Sequence, residues 1–201
     1  MRLRTSVVCL CVVLAASAIG PAAHAAPAAG TPVASGAAPE AGEFGPLADL
    51  LIERLRLADL VAAAKFGTGR PIDDPVREAE LLATVRTEAA ALGIDVDAAV
   101  AVFTDQIAAS KVVQRGLFER WTEHPGEAPA PPDLGQVRTE LDRLTHAILA
   151  ELTATERLRH GDPLCRVHLV VARIAGAVEH RLDVLHRRAL DVAVGSVCVP
   201  R

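Results

Sequence analysis

The sequence predicts an all-α protein, a single-domain bundle of about five to six helices. Apolar residues recur at three- and four-residue spacing along most of the chain, and no useful stretch alternates as a β-strand does. Hydrophobic residues make up 51% of the 201 residues, yet only 2% are aromatic and tyrosine is absent. A chain this short and this poor in aromatic residues favours one helical core over a β-sandwich.

The first two helices have clear boundary signals. Leucines at helical spacing predict an amphipathic helix over residues 46–66, which the glycine- and proline-containing stretch 67–71 ends. A second helix is predicted to start at Pro75, with Asp74 as its N-cap, and to stop at Gly93.

Three longer segments follow. A third helix is predicted over 95–121, and the proline-rich connector 124–133 that comes after it is not expected to be helical. The fourth helix begins at the end of that connector and stops before 161–163. A fifth is predicted over 164–194, where Gly176 is a candidate interruption.

The first 25 residues have the form of a cleavable signal peptide. Arg2 and Arg4 precede an apolar run of 13 residues, 7–19, and a small-x-small motif ends at Ala25. A membrane anchor is the alternative, but spanning a bilayer needs about 17 to 25 apolar residues. We therefore expect residues 1–25 to be removed on export, leaving no membrane attachment.

The mature chain is predicted to have a flexible leader over residues 26–45, rich in alanine, proline and glycine, and then one domain over 46–201. The expected localisation is secreted or periplasmic, and the sequence does not distinguish the two. The formal charge of −4 disfavours nucleic acid as a partner, because phosphates need a basic surface.

Two of the four cysteines lie inside the signal peptide, which leaves Cys165 and Cys198 in the exported protein. Thiols oxidise in such compartments, so these two are predicted to form a disulfide. His160 and His168 flank Cys165, but no second close pair of ligands accompanies them, so a zinc site is disfavoured and no metal is expected.

Three cationic residues occupy unusual helix positions. Arg54 and Lys65 are 11 residues apart on the first helix, which places both on nearly the same stripe, among leucines. Arg138 lies in the first turns of the fourth helix, where a cation opposes the helix dipole and needs a partner.

Two further groups each have an ordinary structural explanation. Asp74, Arg77 and Glu78 are typical of a capped, salt-bridged helix start, and Ser110 and Gln114, one turn apart, are typical of hydrogen bonds at the surface or between helices. The sequence has no Ser-His-Asp order, glycine-rich phosphate loop or metal cluster. No single group of these residues indicates a function, but their combination does.

The spacing of these eight residues resembles that of the all-helical, type II-like chorismate mutases. The segment PIDDPVREAELL, 71–82, is similar to the helix-opening motif of that family. VFTDQIAAS, 102–110, the proline-rich connector, the signal peptide and a disulfide around the last helix are similar to the secreted, gamma subclass. The resemblance covers about residues 46–198.

This resemblance implies an exported isomerase that converts chorismate to prephenate, the step of the shikimate pathway that leads to aromatic amino acids, without a cofactor. The reaction is a concerted rearrangement, so it needs no catalytic base. The enzyme has to hold the flexible dianion in its reactive conformer and stabilise negative charge on the ether oxygen.

The resemblance also implies a role for each residue that binds the carboxylates. Arg54 and Arg138 are expected to bind them, with Arg77 and Ser110 assisting, because a guanidinium fork matches a carboxylate. Because Arg138 stands where other members use an arginine of the neighbouring subunit, each pocket is expected to be complete within one protomer of a homodimer.

Lys65 and Gln114 are expected to meet the ether oxygen, Glu78 to accept the ring hydroxyl, and Asp74 to contact the hydroxyl or support the other residues. Gln114 stands where some secreted members have glutamate, and a neutral amide donates at any pH. Leu81 stands where secreted relatives often have glutamine, which removes a polar group from the pocket wall.

Two other functions stay open at this point. A non-catalytic exported protein of the same fold would bind small dianions or a protein partner, although the complete set Arg54, Lys65, Arg77, Gln114 and Arg138 disfavours it. A structural interaction module would use the same residues as interhelical salt bridges and would not be stabilised by chorismate.

Overall fold

The computed structural model describes residues 42–199, and within that range the chain is helical with no β-strand. The all-α prediction is therefore confirmed. The predicted signal peptide and almost all of the predicted leader lie outside the described residues. No helix in the described range is long and apolar enough to span a membrane.

The described chain forms seven α-helices and two single turns of 3₁₀-helix. The helices are α1 (Gly45–Lys65), α2 (Pro75–Leu92), α3 (Val96–Glu123), α4 (Leu134–Ala154), α5 (Glu156–Gly161), α6 (Cys165–Glu179) and α7 (Val184–Ala193). The 3₁₀ turns are Gly42–Phe44 and Pro125–Glu127, so the proline-rich connector, expected to be non-helical, contains one short turn. Proline is compatible with the start of such a turn, where its missing N–H costs nothing.

Aspartate side chains mark where most of the long helices begin. Asp74, Asp95, Asp133 and Asp183 each accept a hydrogen bond from a backbone N–H in the first turn of the following helix. Gly93 ends α2 in a left-handed conformation, with φ 72°. These local signals explain why the predicted boundaries of α2 and α3 lie within about two residues of the observed ones.

The last predicted helix is two helices, and the break is not at Gly176. Gly176 lies inside α6, where a Cβ atom would stand 2.8 Å from Cδ1 of the buried Ile52, so close packing against α1 accounts for the glycine. The break falls at residues 180–183, where Arg181 adopts a left-handed conformation with φ 51°. Arginine is an uncommon residue there, so the sequence carried no signal for the break.

The fourth predicted helix is also divided. It stops at Ala154, and α5 starts two residues later. Thr155 lies between them, buried, and its hydroxyl donates to the Glu151 carbonyl at a distance of 2.6 Å. A threonine hydroxyl bonded to the preceding turn bends helices, which a periodicity argument does not detect.

Helix α1 is the central element and packs against α3, α4, α6 and α7. Its buried face is leucine, isoleucine and alanine, and one charged residue, Arg54, lies among them. At the end of α1, the ring of Phe66 packs edge-on against Phe118 and Trp121 of α3, with ring centroids 5.3 and 5.4 Å apart. This aromatic contact fixes the end of α1 that carries Lys65.

His186 ties α7 to α1. Its Nδ1 lies 2.8 Å from Asp183 and its Nε2 lies 2.9 Å from Asp59, while the ring itself is buried. The hydrogen bond to Asp59, with a further contribution from Asp183, raises the pKa of His186 above its usual value despite the burial. The protonated ring can donate to both carboxylates at once.

The predicted disulfide between Cys165 and Cys198 is confirmed, with the two Cα atoms 6.0 Å apart. It joins the start of α6 to the chain that follows α7. The same C-terminal segment is held by Arg159, whose Nε donates to the Val197 carbonyl and whose own carbonyl accepts from the Val199 N–H. The disulfide and Arg159 together hold the C-terminal segment against the helix bundle.

Replacing both cysteines, Cys165→Ser with Cys198→Ser, is expected to lower the free energy of unfolding by about 3 to 4 kcal/mol, because the open chain regains the entropy that the disulfide removes. For a domain of this size, the melting temperature should fall by roughly 6 to 16 °C. Thermal unfolding of the oxidised protein and the double variant measures the difference. Equal melting temperatures would contradict a stabilising disulfide.

Candidate active site

One cavity of about 250 Å³ lies between α1, α2, α3 and α4, beside the chain that joins α1 to α2. Every polar residue that the sequence singled out lines it: Arg54, Lys65, Asp74, Arg77, Glu78, Ser110, Gln114 and Arg138. Residues from four separate helices therefore meet at one place. The apolar part of the wall includes Leu81, as its side chain predicts.

Arg54 projects from α1 into the buried part of this cavity. Its side chain is only 6% exposed, and the guanidinium carbon lies 5.7 Å from the centroid of the Phe103 ring. Burial lowers the pKa of Arg54 to about 10, against the opposing attraction of Asp142. Its Nε has no hydrogen-bond partner among residues 42–199. The residue is still charged at neutral pH, and its donors are incompletely used.

Lys65 is the last residue of α1, and its ammonium donates to the Ile72 carbonyl at 2.9 Å. Burial lowers the pKa of Lys65 below its usual value, and the nearby Asp74 partly offsets this effect. Since an ammonium group has three donors, the contact with Ile72 leaves others available.

The first turn of α2 is held by reciprocal hydrogen bonds. Asp74 accepts from the Arg77 N–H at 3.1 Å, and Oε1 of Glu78 accepts from the Asp74 N–H at 3.1 Å. The Arg77 guanidinium, however, pairs with Glu80 at 3.2 Å, and both side chains are more than half exposed. Asp74 and Glu78 are thus fixed by the backbone, whereas Arg77 makes a surface ion pair at the rim.

On α3, Gln114 donates from Nε2 to the Ser110 hydroxyl at 3.0 Å. The two residues bond to each other, one turn apart, rather than to another helix. Gln114 is 4% exposed, and its Oε1 has no partner in the described part of the chain. An amide this deeply buried and only partly hydrogen-bonded is costly, which is typical of a binding site rather than of a core.

Arg138 lies on α4, exposed at the rim of the cavity. The sequence predicted that this cation needs a partner, and within residues 42–199 the structure shows no hydrogen bond or ion pair to its side chain. Neither Arg54 nor Arg138 forms an interhelical salt bridge here, which argues against a purely structural role for these arginines.

Four further polar residues line the cavity that were not predicted from the sequence: Arg70, Lys111, Asp142 and Thr145. Asp142 and Thr145 follow Arg138 by four and seven residues, so helical spacing from Arg138 was a signal that they share its face. Lys111 directly follows Ser110, and it is one of only two lysines in the chain.

With these residues included, the cavity lining holds six cationic and three anionic side chains. The cationic ones are Arg54, Lys65, Arg70, Arg77, Lys111 and Arg138, and the anionic ones are Asp74, Glu78 and Asp142. The formal excess of three positive charges, in a protein of net charge −4, suits a small ligand that carries negative charge. No group of three or more His, Cys, Asp or Glu side chains that would hold a metal occurs among residues 42–199.

Comparison with known proteins agrees with this site. Residues 46–115 match the family model of chorismate mutase type II. The secreted chorismate mutase of Mycolicibacterium smegmatis is 37% identical over 170 residues, covering 84% of this chain and 92% of that protein. The secreted chorismate mutase of Mycobacterium tuberculosis is 34% identical over 157 residues, covering 78% of each chain.

Among solved structures, the chorismate mutase from Burkholderia phymatum superposes with a TM-score of 0.74 at 37% identity, covering 80% of this chain and 98% of that one. The chorismate mutase from Burkholderia thailandensis gives 0.73 at 38% identity, covering 78% and 99%. The identity and coverage of these relatives show that the chain belongs to the family of secreted chorismate mutases.

Proposed function

We propose that this chain is exported after cleavage of its signal peptide and isomerises chorismate to prephenate in the cavity between α1, α2, α3 and α4. The observation that carries this proposal is the excess of cationic side chains around one cavity in an acidic protein. Two relatives, at 37% and 34% identity, are both named secreted chorismate mutase, which supports export as well as activity.

The reaction determines what the cavity has to supply. Chorismate is a dianion with two carboxylates, a ring hydroxyl and an enolpyruvyl ether. In one step the ether C–O bond breaks and a C–C bond forms, with no proton transferred to or from the protein. The protein therefore accelerates the reaction by selecting the compact conformer and by stabilising charge on the ether oxygen.

Arg54 and Arg138 bind the two carboxylates in this proposal. Arg54 is buried with an unused Nε donor, and Arg138 has no ion-pair partner in the described chain, so both can take a carboxylate at little cost. Arg77 would exchange its exposed pair with Glu80 for substrate. Such exposed pairs are worth about 1 kcal/mol or less, so the exchange is easy. Ser110 assists from α3.

Lys65 and Gln114 supply donors to the ether oxygen. Each already makes one contact, with the Ile72 carbonyl and the Ser110 hydroxyl respectively, which fixes its direction and leaves a donor free. Charge on the ether oxygen is largest in the transition state, so these two donors act mainly on the rate. Glu78 accepts a hydrogen bond from the ring hydroxyl. Asp74, which lines the same cavity, contacts that hydroxyl or supports the other residues.

We also propose a homodimer whose two active sites are each complete within one protomer. The outer face of α6 carries exposed apolar residues at helical spacing, with fractional exposures between 43% and 60%: Val167, Val170, Ile174 and Val178. Contiguous exposed apolar patches are typical of interfaces.

The α6 stripe is symmetric about the middle of the helix. Val167 and Val178 lie at equal distances from a point between residues 172 and 173, and Val170 and Ile174 lie at equal distances from residue 172. In an antiparallel pair of α6 helices related by a two-fold axis, Val167 would face Val178 of the second copy and Val170 would face Ile174. A second copy of this chain is therefore the partner that fits.

Lys65→Ala and Gln114→Ala are each expected to lower kcat by about 10²- to 10³-fold, because each removes a donor worth about 3 to 4 kcal/mol in the transition state. Loss of chorismate, followed by its ultraviolet absorbance, gives the rate. Arg56→Ala, an exposed cation on α1 outside the cavity, is the control and should match the unchanged protein. A folded protein without turnover, and without thermal stabilisation by chorismate, would contradict the proposed function.

Gln114→Glu is expected to make the reaction depend on acid. The new carboxyl can donate only when protonated, so kcat should fall steeply as pH rises through the neutral range and recover near pH 5. The unchanged protein should keep its rate from neutral to mildly alkaline pH and lose it only as Lys65 deprotonates, below the usual lysine pKa because its pKa is lowered. Parallel pH profiles for the two proteins would refute the role of Gln114.

Val178→Asp should convert the dimer to a monomer in light scattering coupled to gel filtration, because the introduced charge would be buried between two α6 helices. Turnover should stay within about twofold, since each site is complete. Leu92→Asp, an exposed apolar residue on α2, is the matched control and should remain dimeric. A monomeric unchanged protein, or dimeric Val178→Asp, would overturn this interface.

A further inference from the structure

Lys111 lies on α3 between Ser110 and Gln114, and it lines the same cavity. Its ammonium is 2.8 Å from Oε2 of Glu78 and 3.0 Å from Oδ1 of Asp73. The chain has two lysines against 19 arginines, and both lysines line the cavity. A compact ammonium can contact two carboxylates from different directions, which a planar guanidinium does less readily.

The neighbourhood of Lys111 is balanced in charge. Asp73 also accepts two hydrogen bonds from Arg115, at 2.9 and 3.0 Å, so two acids and two bases form one connected group: Asp73, Glu78, Lys111 and Arg115. The hydrogen bond to Glu78 raises the pKa of Lys111, and the bonds from Lys111 and Arg115 lower the pKa of Asp73. Lys111 and Asp73 therefore stay charged over the physiological range.

Lys111 and Arg115 are not equivalent in this group. Arg115 is half exposed, pairs only with Asp73 among residues 42–199 and lies outside the cavity lining, so it can hold the segment before α2 without touching the site. Of these two cations, Lys111 is the one that reaches Glu78. The other oxygen of Glu78, Oε1, accepts from the Asp74 N–H, so the carboxylate is held at both ends, once by backbone and once by Lys111.

We propose that Lys111 is a positioning residue that holds Glu78 in the direction needed to accept the ring hydroxyl of the substrate. Each oxygen of Glu78 uses one acceptor site on its fixed contact and keeps another for the substrate. Removing Lys111 frees one end of the carboxylate to rotate and leaves Glu78 without its cation. This inference rests on the proposed function, since it needs a hydroxylated substrate at Glu78.

The test is a double-mutant cycle with Lys111→Met and Glu78→Gln, measured as kcat and KM for chorismate on the full exported protein. Each single variant is expected to lower kcat/KM by about 10- to 100-fold, mainly through a higher KM, because the hydroxyl contact exists before and during the reaction. The kcat/KM of the double variant should be no more than about threefold below that of either single variant, because Lys111 acts through Glu78. Lys111→Arg should regain part of the loss.

A purely structural role for Lys111 would give a different result. The two losses of kcat/KM would then multiply in the double variant. Arg115→Gln, which loosens the same segment from outside the cavity, would lower kcat/KM as much as Lys111→Met does. If Lys111 positions Glu78, the kcat/KM of Arg115→Gln should instead stay within about twofold of that of the unchanged protein. If Lys111→Met does not fold, Lys111→Gln replaces it in the cycle.

Failure of the function and failure of this inference are separable. An unchanged protein that does not consume chorismate overturns the proposed function, and this inference with it. An unchanged protein that turns over normally, together with a Lys111→Met variant of equal kcat/KM or with multiplicative losses, overturns the inference alone.

Discussion

The burial of one guanidinium, that of Arg54, is the constraint on which the arrangement of the site depends. Burial lowers its pKa to about 10, so the lost solvation of the charged form outweighs the attraction of Asp142. The Phe103 ring and Asp142 offset only part of this loss, and Nε has no hydrogen-bond partner among residues 42–199. A bundle that keeps such a group on its central helix has to leave a space beside it, and a carboxylate in that space completes its hydrogen bonds.

The same constraint explains how an acidic protein contains a cationic cavity. Most acidic side chains lie outside the cavity, as helix caps such as Asp95 and Asp133 or in exposed ion pairs such as that of Glu140 with Arg143. The cavity retains three acids, and Glu78 is tied to Lys111. Because the two charges of that pair cancel each other, the field in the cavity comes mainly from the cations that are not paired, including Arg54 and Lys65.

How far the sequence predicts the structure depends on whether the signal is local. Caps and 3.6-residue periodicity are local, so the first three helices were predicted closely. Gly176 and Thr155 act through contacts with α1 and with a preceding turn, and periodicity does not report either. In the site, family spacing located the residues that touch substrate in the proposal, but Lys111 was missed because its importance comes from Glu78, 33 residues earlier and on another helix.

The substrate-binding residues of the proposal fall into two groups, one held in place inside the cavity and one adjustable at its rim. Arg54, Lys65 and Gln114 are held by burial or hydrogen bonds on the long helices α1 and α3. Arg77 and Arg138 are exposed, in the first turns of α2 and α4. Lys65 and Gln114 donate to the ether oxygen in the proposal, and donors that are fixed in advance cost no reorganisation during the reaction. Arg54, fixed in the same way, binds one carboxylate. The other carboxylate enters and leaves at the rim, where within residues 42–199 nothing stronger than an exposed ion pair holds Arg77 or Arg138. Leu81 also lines this cavity, and because an apolar side chain holds no water by hydrogen bonds, it leaves the cavity's donors to the substrate.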